Sequence, residues 1–343
     1  MGTDIPSIHN TKTGDNMNRR HLLQQSLALA GMGALAPWAR AQDAFPHQPI
    51  RWVVPYPAGG GTDVLARTVA EAMRTSLGQQ IIVDNRPGAS TNIGAQIVAT
   101  AKPDGYTVMS ADNAVLAFNE FLFTKLPFHP DKDFTYVGGL TRFPLVLAVN
   151  PKFEHANSFK EFLAYVRANP GKVNYASPGN GSPHHLAMEM FKFRTKTFLT
   201  HIPYRGAAPA LQDVMGGQVP CMFIDLAAGL PVLQSGKVKA LAIGSAKRAP
   251  ALPNVPTLAE VGVDDTEIYA FQGMLAPAGL PPDITRRLNT EINKALLSPD
   301  VVKRMHDYGM ESLGGTPEQF HAMARTEARR WGPIIKATGV KLD

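Results

Sequence analysis

Ile50-Arg51-Trp52-Val53-Val54-Pro55-Tyr56-Pro57-Ala58-Gly59-Gly60-Gly61-Thr62-Asp63 carries the pattern that decides the fold. It begins as a β-rich run and passes through three consecutive glycines. From Asp63 onward Leu65, Thr68, Val69, Ala72, Met73 and Ser76 fall at helical spacing until Gly78 ends the pattern. The stretch therefore reads as strand, glycine-rich turn, helix. Working outward, Ile81 to Val83 is a second short strand and Asn85-Arg86-Pro87-Gly88 a turn. Asn92 to Thr100 is a helix stopped by Pro103-Asp104-Gly105, and Tyr106 to Met109 is a strand. Strands alternating with helices predict an α/β fold with a mostly parallel sheet.

After a long extended stretch from Tyr136 to Val149 the same grammar starts again. Ser158-Phe159-Lys160-Glu161 has the form of a capping box, with Phe159, Phe162, Leu163 and Val166 on one face and Asn169-Pro170-Gly171 as a stop. Val173 to Ala176 is a strand, Ser177-Pro178-Gly179-Asn180-Gly181 a glycine-rich loop, and Ser182-Pro183 the N-cap and first position of a helix. Further βα units run from His201 to Met215 and from Val219 to Ser235, followed by a strand from Lys239 to Ile243. Ile268 to Leu275 is extended again. The tail is helical, with Ile284, Leu288, Ile292, Ala295 and Leu296 in one stripe and Thr316-Pro317 capping another helix. The two extended stretches read as crossings between lobes: 42–146 with 266–343 form a discontinuous first domain, and 147–265 the second.

The chain has 343 residues, enough for two domains, and its 44% hydrophobic and 18% charged content is that of a globular protein. A single cysteine, Cys221, excludes an internal disulfide and any multi-cysteine metal site. Residues 1–41 read as an export signal: Met17-Asn18-Arg19-Arg20-His21 is a basic start, Leu22 to Ala36 a short apolar stretch, and Ala39-Arg40-Ala41 a cleavage site before Gln42. The paired arginines point to the twin-arginine route, although Asn18 and Leu22 depart from its usual pattern, so the general secretory route stays open. Removing 1–41 takes away four basic and two acidic residues and leaves a formal +4. No basic run interleaves with aromatics, which argues against nucleic acid and favours a small anionic ligand. No later apolar stretch approaches a membrane span, so the mature chain is expected to be soluble outside the cytoplasmic membrane.

Both glycine-rich loops precede a helix N-terminus, where unpaired N–H groups and the helix dipole favour anions. Tyr56, Ala58, Gly59, Gly60, Gly61 and Thr62 are the candidate ligand contacts from the first loop, and Ser177, Gly179, Asn180, Gly181 and Ser182 those from the second. Either loop can equally be a plain strand-to-helix turn. Neither has the full G-x-G-x-x-G spacing or a following Gly-Lys-Ser/Thr, so no nucleotide motif is present. Tyr204 and Phe271 stand beside the loops as candidate walls or as core. Asp225, at the end of a strand, either reads an amino or hydroxyl group of the ligand or caps the next helix. Ser182 with His184 and His185 suggests a hydrolase, but the context is not G-x-S-x-G. Adjacent histidines diverge by about 100° on a helix and do not share a metal. Cys221 reads as a small buried hydrophobe.

Tyr56 to Arg67, Asp84 to Ala89 with Asn92-Ile93-Gly94, and Ala101 to Thr107 together resemble the Bug family of periplasmic solute receptors, which serve tripartite tricarboxylate transporters. The resemblance continues through Tyr175-Ala176-Ser177, Gly179, Gly181-Ser182 and His185-Leu186. It includes His201 to Gly206 with Pro209-Ala210, then Gly216-Gly217, Leu252 to Thr257 and Ala276-Pro277, and covers nearly all of the mature chain. It implies a type II periplasmic-binding-protein fold, two α/β domains around a ligand cleft. It implies a carboxylate held by backbone amides and water in the loop matching Pro57 to Gly61, with donors from Ser177 to Ser182 opposite. A periplasmic monomer with a membrane permease as partner, no catalysis and no cofactor follow from it. Phe271 stands where Trp is frequent, and Ser90-Thr91 replace a common Ala/Gly-Gly, which leaves the shape of the ligand open. Two other readings stay open: a secreted serine hydrolase using Ser182, and a ligand sensor for a membrane kinase.

Overall fold

The computed structural model describes residues 1–2 and 45–343; the export signal expected at 17–41, and residues 42–44, lie outside the described residues. The first βα unit forms as its pattern requires. β1 (Ile50–Val54) is followed by α1 (Gly61–Leu77), which lays Leu65, Ala66, Val69, Ala70 and Met73 into the core. Gly78, at φ 67°, ends α1 by donating its N–H to the Arg74 carbonyl. β2 (Ile81–Asn85), α2 (Asn92–Ala99) and β3 (Thr107–Asp112) complete the unit, with β2 and β3 flanking β1 in parallel.

β4 (Phe134–Val149) is a strand of 16 residues. It leads into α3 (Phe159–Ala168), β5 (Asn174–Ser177), α4 (Pro183–Thr195), β6 (Thr200–Pro203), α5 (Ala207–Gly216), β7 (Cys221–Asp225), α6 (Leu226–Gln234) and β8 (Lys239–Ile243). The chain returns in β9 (Tyr269–Pro277) and ends in α7 (Pro282–Leu296), α8 (Pro299–Asp307), β10 (Glu311–Gly314) and α9 (Pro317–Thr338). The sheet order is β2-β1-β3-β9-β4-β7-β5-β6, with β8 and β10 also paired to β4. Phe134 to Pro144 of β4 pairs with β9, whereas Leu145 to Val149 pairs with β7 and β8. β4 thus changes partners between Pro144 and Leu145.

The expectation of a mostly parallel sheet needs correction. β1, β2 and β3 pair in parallel, as do β5, β6 and β7, but every pairing made by β4 and β9 is antiparallel. Parallel pairing needs a helical crossover, which the βα units supply. β4 and β9 instead run back against their neighbours. α8 and β10 were not foreseen; Pro299 at the first turn of α8 is their local signal. At α3 only half of the capping box forms: Ser158 accepts from the Glu161 N–H, while the Glu161 carboxylate accepts from Asn157. Phe271 is buried in a cluster with Leu275 and Phe320 and belongs to the core rather than to a cleft wall. Among the described residues no helix is long and apolar enough to cross a membrane.

Candidate functional site

The first loop leaves β1 at Pro55 and enters α1 with Gly60 as N-cap. Its turn needs Gly59 at φ 85°, a conformation that other residues rarely adopt. Asp63, 3% exposed, ties the loop down: its Oδ2 accepts the Gly59 N–H at 2.9 Å and its Oδ1 accepts from Asn85 at 3.0 Å. Arg67 closes the same carboxylate with an ion pair of 3.0 Å. Burial alone would raise the Asp63 pKa, but these bonds from Arg67, Gly59 and Asn85 hold it below the usual range. Asn85 also donates to the Tyr56 carbonyl at 2.9 Å. The N–H groups of Gly60, Gly61 and Thr62 find no acceptor among the described residues. They are fixed in place and open to an anion.

The second loop is built differently. Ser177 is fully buried; its hydroxyl meets His201 Nε2 at 2.6 Å and both donates to the Gly179 carbonyl and accepts the Gly179 N–H, each at 3.1 Å. Ser182 caps α4 by accepting the His185 N–H, and its own proton goes to the Gly179 carbonyl at 2.8 Å. The Gly181 N–H donates to His185 Nδ1 at 3.1 Å. Beneath the loop the rings of His185, His201 and Tyr175 stack, with centroids 4.0 and 4.8 Å apart, and the Tyr175 hydroxyl donates to Glu189, which pairs with Lys192. Burial, then the charge of Lys192, lowers the His185 pKa to about 4; burial chiefly lowers that of His201 to about 3. Burial and the Glu189 charge push the Tyr175 phenol up. At neutral pH both imidazoles are uncharged, as the acceptor role of His185 requires.

Between the loops lies a cavity of about 150 Å³, continuous in its lining with a neighbouring one of about 590 Å³. Tyr56, Ala58, Gly60, Gly61, Thr62, Ser182 and Asp225 line the first. Gly179, Asn180, Gly181 and Tyr204 line only the second, and Gly59 and Ser177 line neither. Asn180 is exposed, and its carbonyl accepts from Ser90 across the cleft. Four helices begin at the first cavity: α1 at Gly61, α4 at Pro183, α5 at Ala207, and α6 directly after Asp225. Their dipoles add partial positive charge, and Arg205, exposed at the mouth, adds a whole one.

Sequence reasoning missed three side chains here, Asp112, Gln272 and Arg205, and weighed a fourth, His184, only as part of a hydrolase. Asp112, at the end of β3, accepts the Tyr56 hydroxyl at 2.6 Å and the Ala114 N–H at 3.1 Å. Burial raises the pKa of Asp112 and pushes that of Tyr56 well up. Gln272 from β9 donates to Thr62 Oγ1 at 3.0 Å. His184 Nε2 meets Asp225 Oδ2 at 3.1 Å. Arg205 opens the third helix start. Its signal was legible, because Arg205-Gly206 stands between a strand and a helix as Gly59 to Gly61 do. Gln272 had no local signal, lying 210 residues from Thr62.

Residues 65–340 match the family described as tripartite tricarboxylate transporter family receptor. The Bordetella pertussis protein BugT is 37% identical over 95% of this chain and 100% of its own. A Rhodopseudomonas palustris protein solved with adipate superposes at a TM-score of 0.82 with 34% identity, covering 86% of this chain and 98% of that one. MatC of the same organism, with bound malate, gives 0.80 and 34%, covering 85% and 100%.

Proposed function

The chain belongs to the tripartite tricarboxylate transporter receptor family, and on that premise we propose that it is a periplasmic receptor that captures a small carboxylate between two lobes. One observation carries the reading: the N–H groups of Gly60, Gly61 and Thr62, unpaired among the described residues, stand in a loop that Asp63 immobilises, at the wall of a cavity where four helices start. A carboxylate accepts such bonds without a cationic side chain. The adipate and malate bound to the two Rhodopseudomonas proteins are carboxylates, which supports the assignment. The Ser177 and Ser182 hydroxyls serve the second loop rather than the ligand. That also speaks against a hydrolase, since among the described residues the Ser182 hydroxyl bonds to no imidazole or carboxylate and its proton is held by a carbonyl.

The lobes of this reading are 42–146 with 266–343, and 147–265. The change of partners along β4 supports the first crossing and the return in β9 the second. Each lobe supplies helix starts to the cavity, so a ligand touching both stabilises the closed form, and that form is what the membrane permease of the transporter distinguishes. Export follows from 17–41, with a mature N-terminus near Gln42. No cofactor enters the mechanism, and the receptor acts as a monomer.

Small-angle scattering of the mature protein with saturating glutamate, malate or adipate tests the closure. The radius of gyration falls on binding; an identical curve at calorimetric saturation overturns the two-lobe capture. N-terminal sequencing of the exported protein and changing Arg19 and Arg20 to Lys test the signal. Unchanged export of the variant points to the general secretory route.

A further inference from the structure

Two of the six buried side-chain atoms that lack a partner among the described residues belong to side chains lining the same cavity, one from each lobe: His184 Nδ1 and Gln272 Oε1. His184 is 8% exposed and Gln272 2%. The Asp225 carboxylate accepts, so the His184 nitrogen facing it, Nε2, carries the hydrogen, and the tautomer that this bond selects leaves a lone pair on Nδ1. Gln272 spends its amide N–H on Thr62, which leaves its carbonyl oxygen as the free end. Both vacant groups are therefore acceptors. The first loop, which receives the carboxylate, turns N–H donors to the cavity. A buried acceptor without a partner costs free energy that a ligand donor recovers.

We propose that the cleft selects a carboxylate that also carries a hydrogen-bond donor on its chain, a hydroxyl or an ammonium, with His184 and Gln272 as the acceptors that receive it. The inference rests on the carboxylate reading above and adds the second half of the ligand. His184 is the specificity-determining residue, and Asp225 positions it by fixing which nitrogen bears the proton. Arg205 at the mouth suits a second carboxylate equally well whether or not the donor is present, so it does not decide between the alternatives. A saturated dicarboxylate leaves both acceptors unpaired, and a site built to hydrogen-bond a group discriminates against the analogue lacking it.

Calorimetry on the mature protein with glutarate, 2-hydroxyglutarate and glutamate keeps chain length and both carboxylates constant. The same series with succinate, malate and aspartate repeats the test one carbon shorter. The donor-bearing members bind at least about 10-fold more tightly than the bare dicarboxylate, and the hydroxy and amino arms tell which donor is preferred. His184→Phe and, separately, Gln272→Met each lower that ratio at least about threefold. Gln272→Met decides if His184→Phe, which strips Asp225 of its imidazole, does not fold by circular dichroism. Bare dicarboxylates binding as tightly as their hydroxy and amino counterparts overturn the inference and leave the carboxylate reading standing. So does a ratio that neither folded variant lowers. Absence of binding by every carboxylate in both series overturns the carboxylate reading itself, and the inference with it.

Discussion

The two glycine-rich loops look alike in sequence and are opposite in construction. The first spends its side chains on holding itself still: Asp63, Asn85 and Arg67 clamp the turn, and the backbone N–H groups of Gly60, Gly61 and Thr62 stay open. The second spends its polar groups on itself: Ser177, Ser182 and the Gly181 N–H all close internal bonds, backed by a stack of buried His185 and Tyr175 with half-buried His201. A loop with open donors is built to bind; a loop that bonds mostly to itself is built to frame. Damage to the first is therefore expected in affinity, and damage to the second in stability.

The largest effect should come from Gly60→Pro. Gly60 sits at φ −78°, within proline's range, and a Cβ there would come no nearer than 3.8 Å to its closest neighbour, the Pro57 carbonyl oxygen, so the substitution meets the φ of the site and removes the N–H. Loss of one charge-assisted bond of about 1.5–3 kcal/mol weakens carboxylate binding by about 10- to 100-fold in calorimetry while the melting temperature holds. Unchanged affinity would return the first loop to a plain turn.

The second loop should respond to acid before it responds to ligand. Because burial depresses the pKa of His185 to about 4 and of His201 to about 3, the unfolded chain binds more protons than the folded one below the ordinary histidine value. Their stabilising contribution is complete above about pH 6.5 and drains away as pH falls towards 4. Protonation of His185 also removes the acceptor of the Gly181 N–H. Thermal unfolding followed between pH 7 and 4 should show a falling midpoint, and His185→Gln should flatten part of that slope. A midpoint rising on acidification would contradict the assignment of neutral imidazoles.

Ser182→Ala comes next, at about 0.5–2 kcal/mol of stability from the lost cap, read as a lower urea midpoint. Ester hydrolysis should be absent before and after the change; activity that Ser182→Ala abolishes would restore the hydrolase. The smallest effect belongs to Asn180→Ala. Its side chain is exposed and only its carbonyl is used, so affinity and stability should both shift by less than about 0.5 kcal/mol. A large loss of affinity there would erase the difference between the loops.

The strand, turn and helix from Ile50 to Leu77 were legible because hydrophobic spacing and glycine placement act locally. So were the second loop and its proline-started helix. The direction of β4 and β9 was not, since an extended run carries no mark of which neighbour it will meet. The candidate contacts divided by the same rule. Gly60, Gly61 and Thr62 could be named from their place before a helix. Ser177, named for its hydroxyl, turned inward because His201, 24 residues on, stands opposite it. Asp112 meets Tyr56 and His184 meets Asp225 only once the sheet has brought strand ends together.

The account stands on the backbone of the first loop, and the amide resonances of Gly60, Gly61 and Thr62 report on it directly. In ¹H–¹⁵N spectra of the mature protein titrated with the tightest of glutamate, malate and adipate, these three amides should move furthest downfield and saturate together with the calorimetric isotherm. Saturable binding that leaves them in place while the amides of 177–182 move would contradict it.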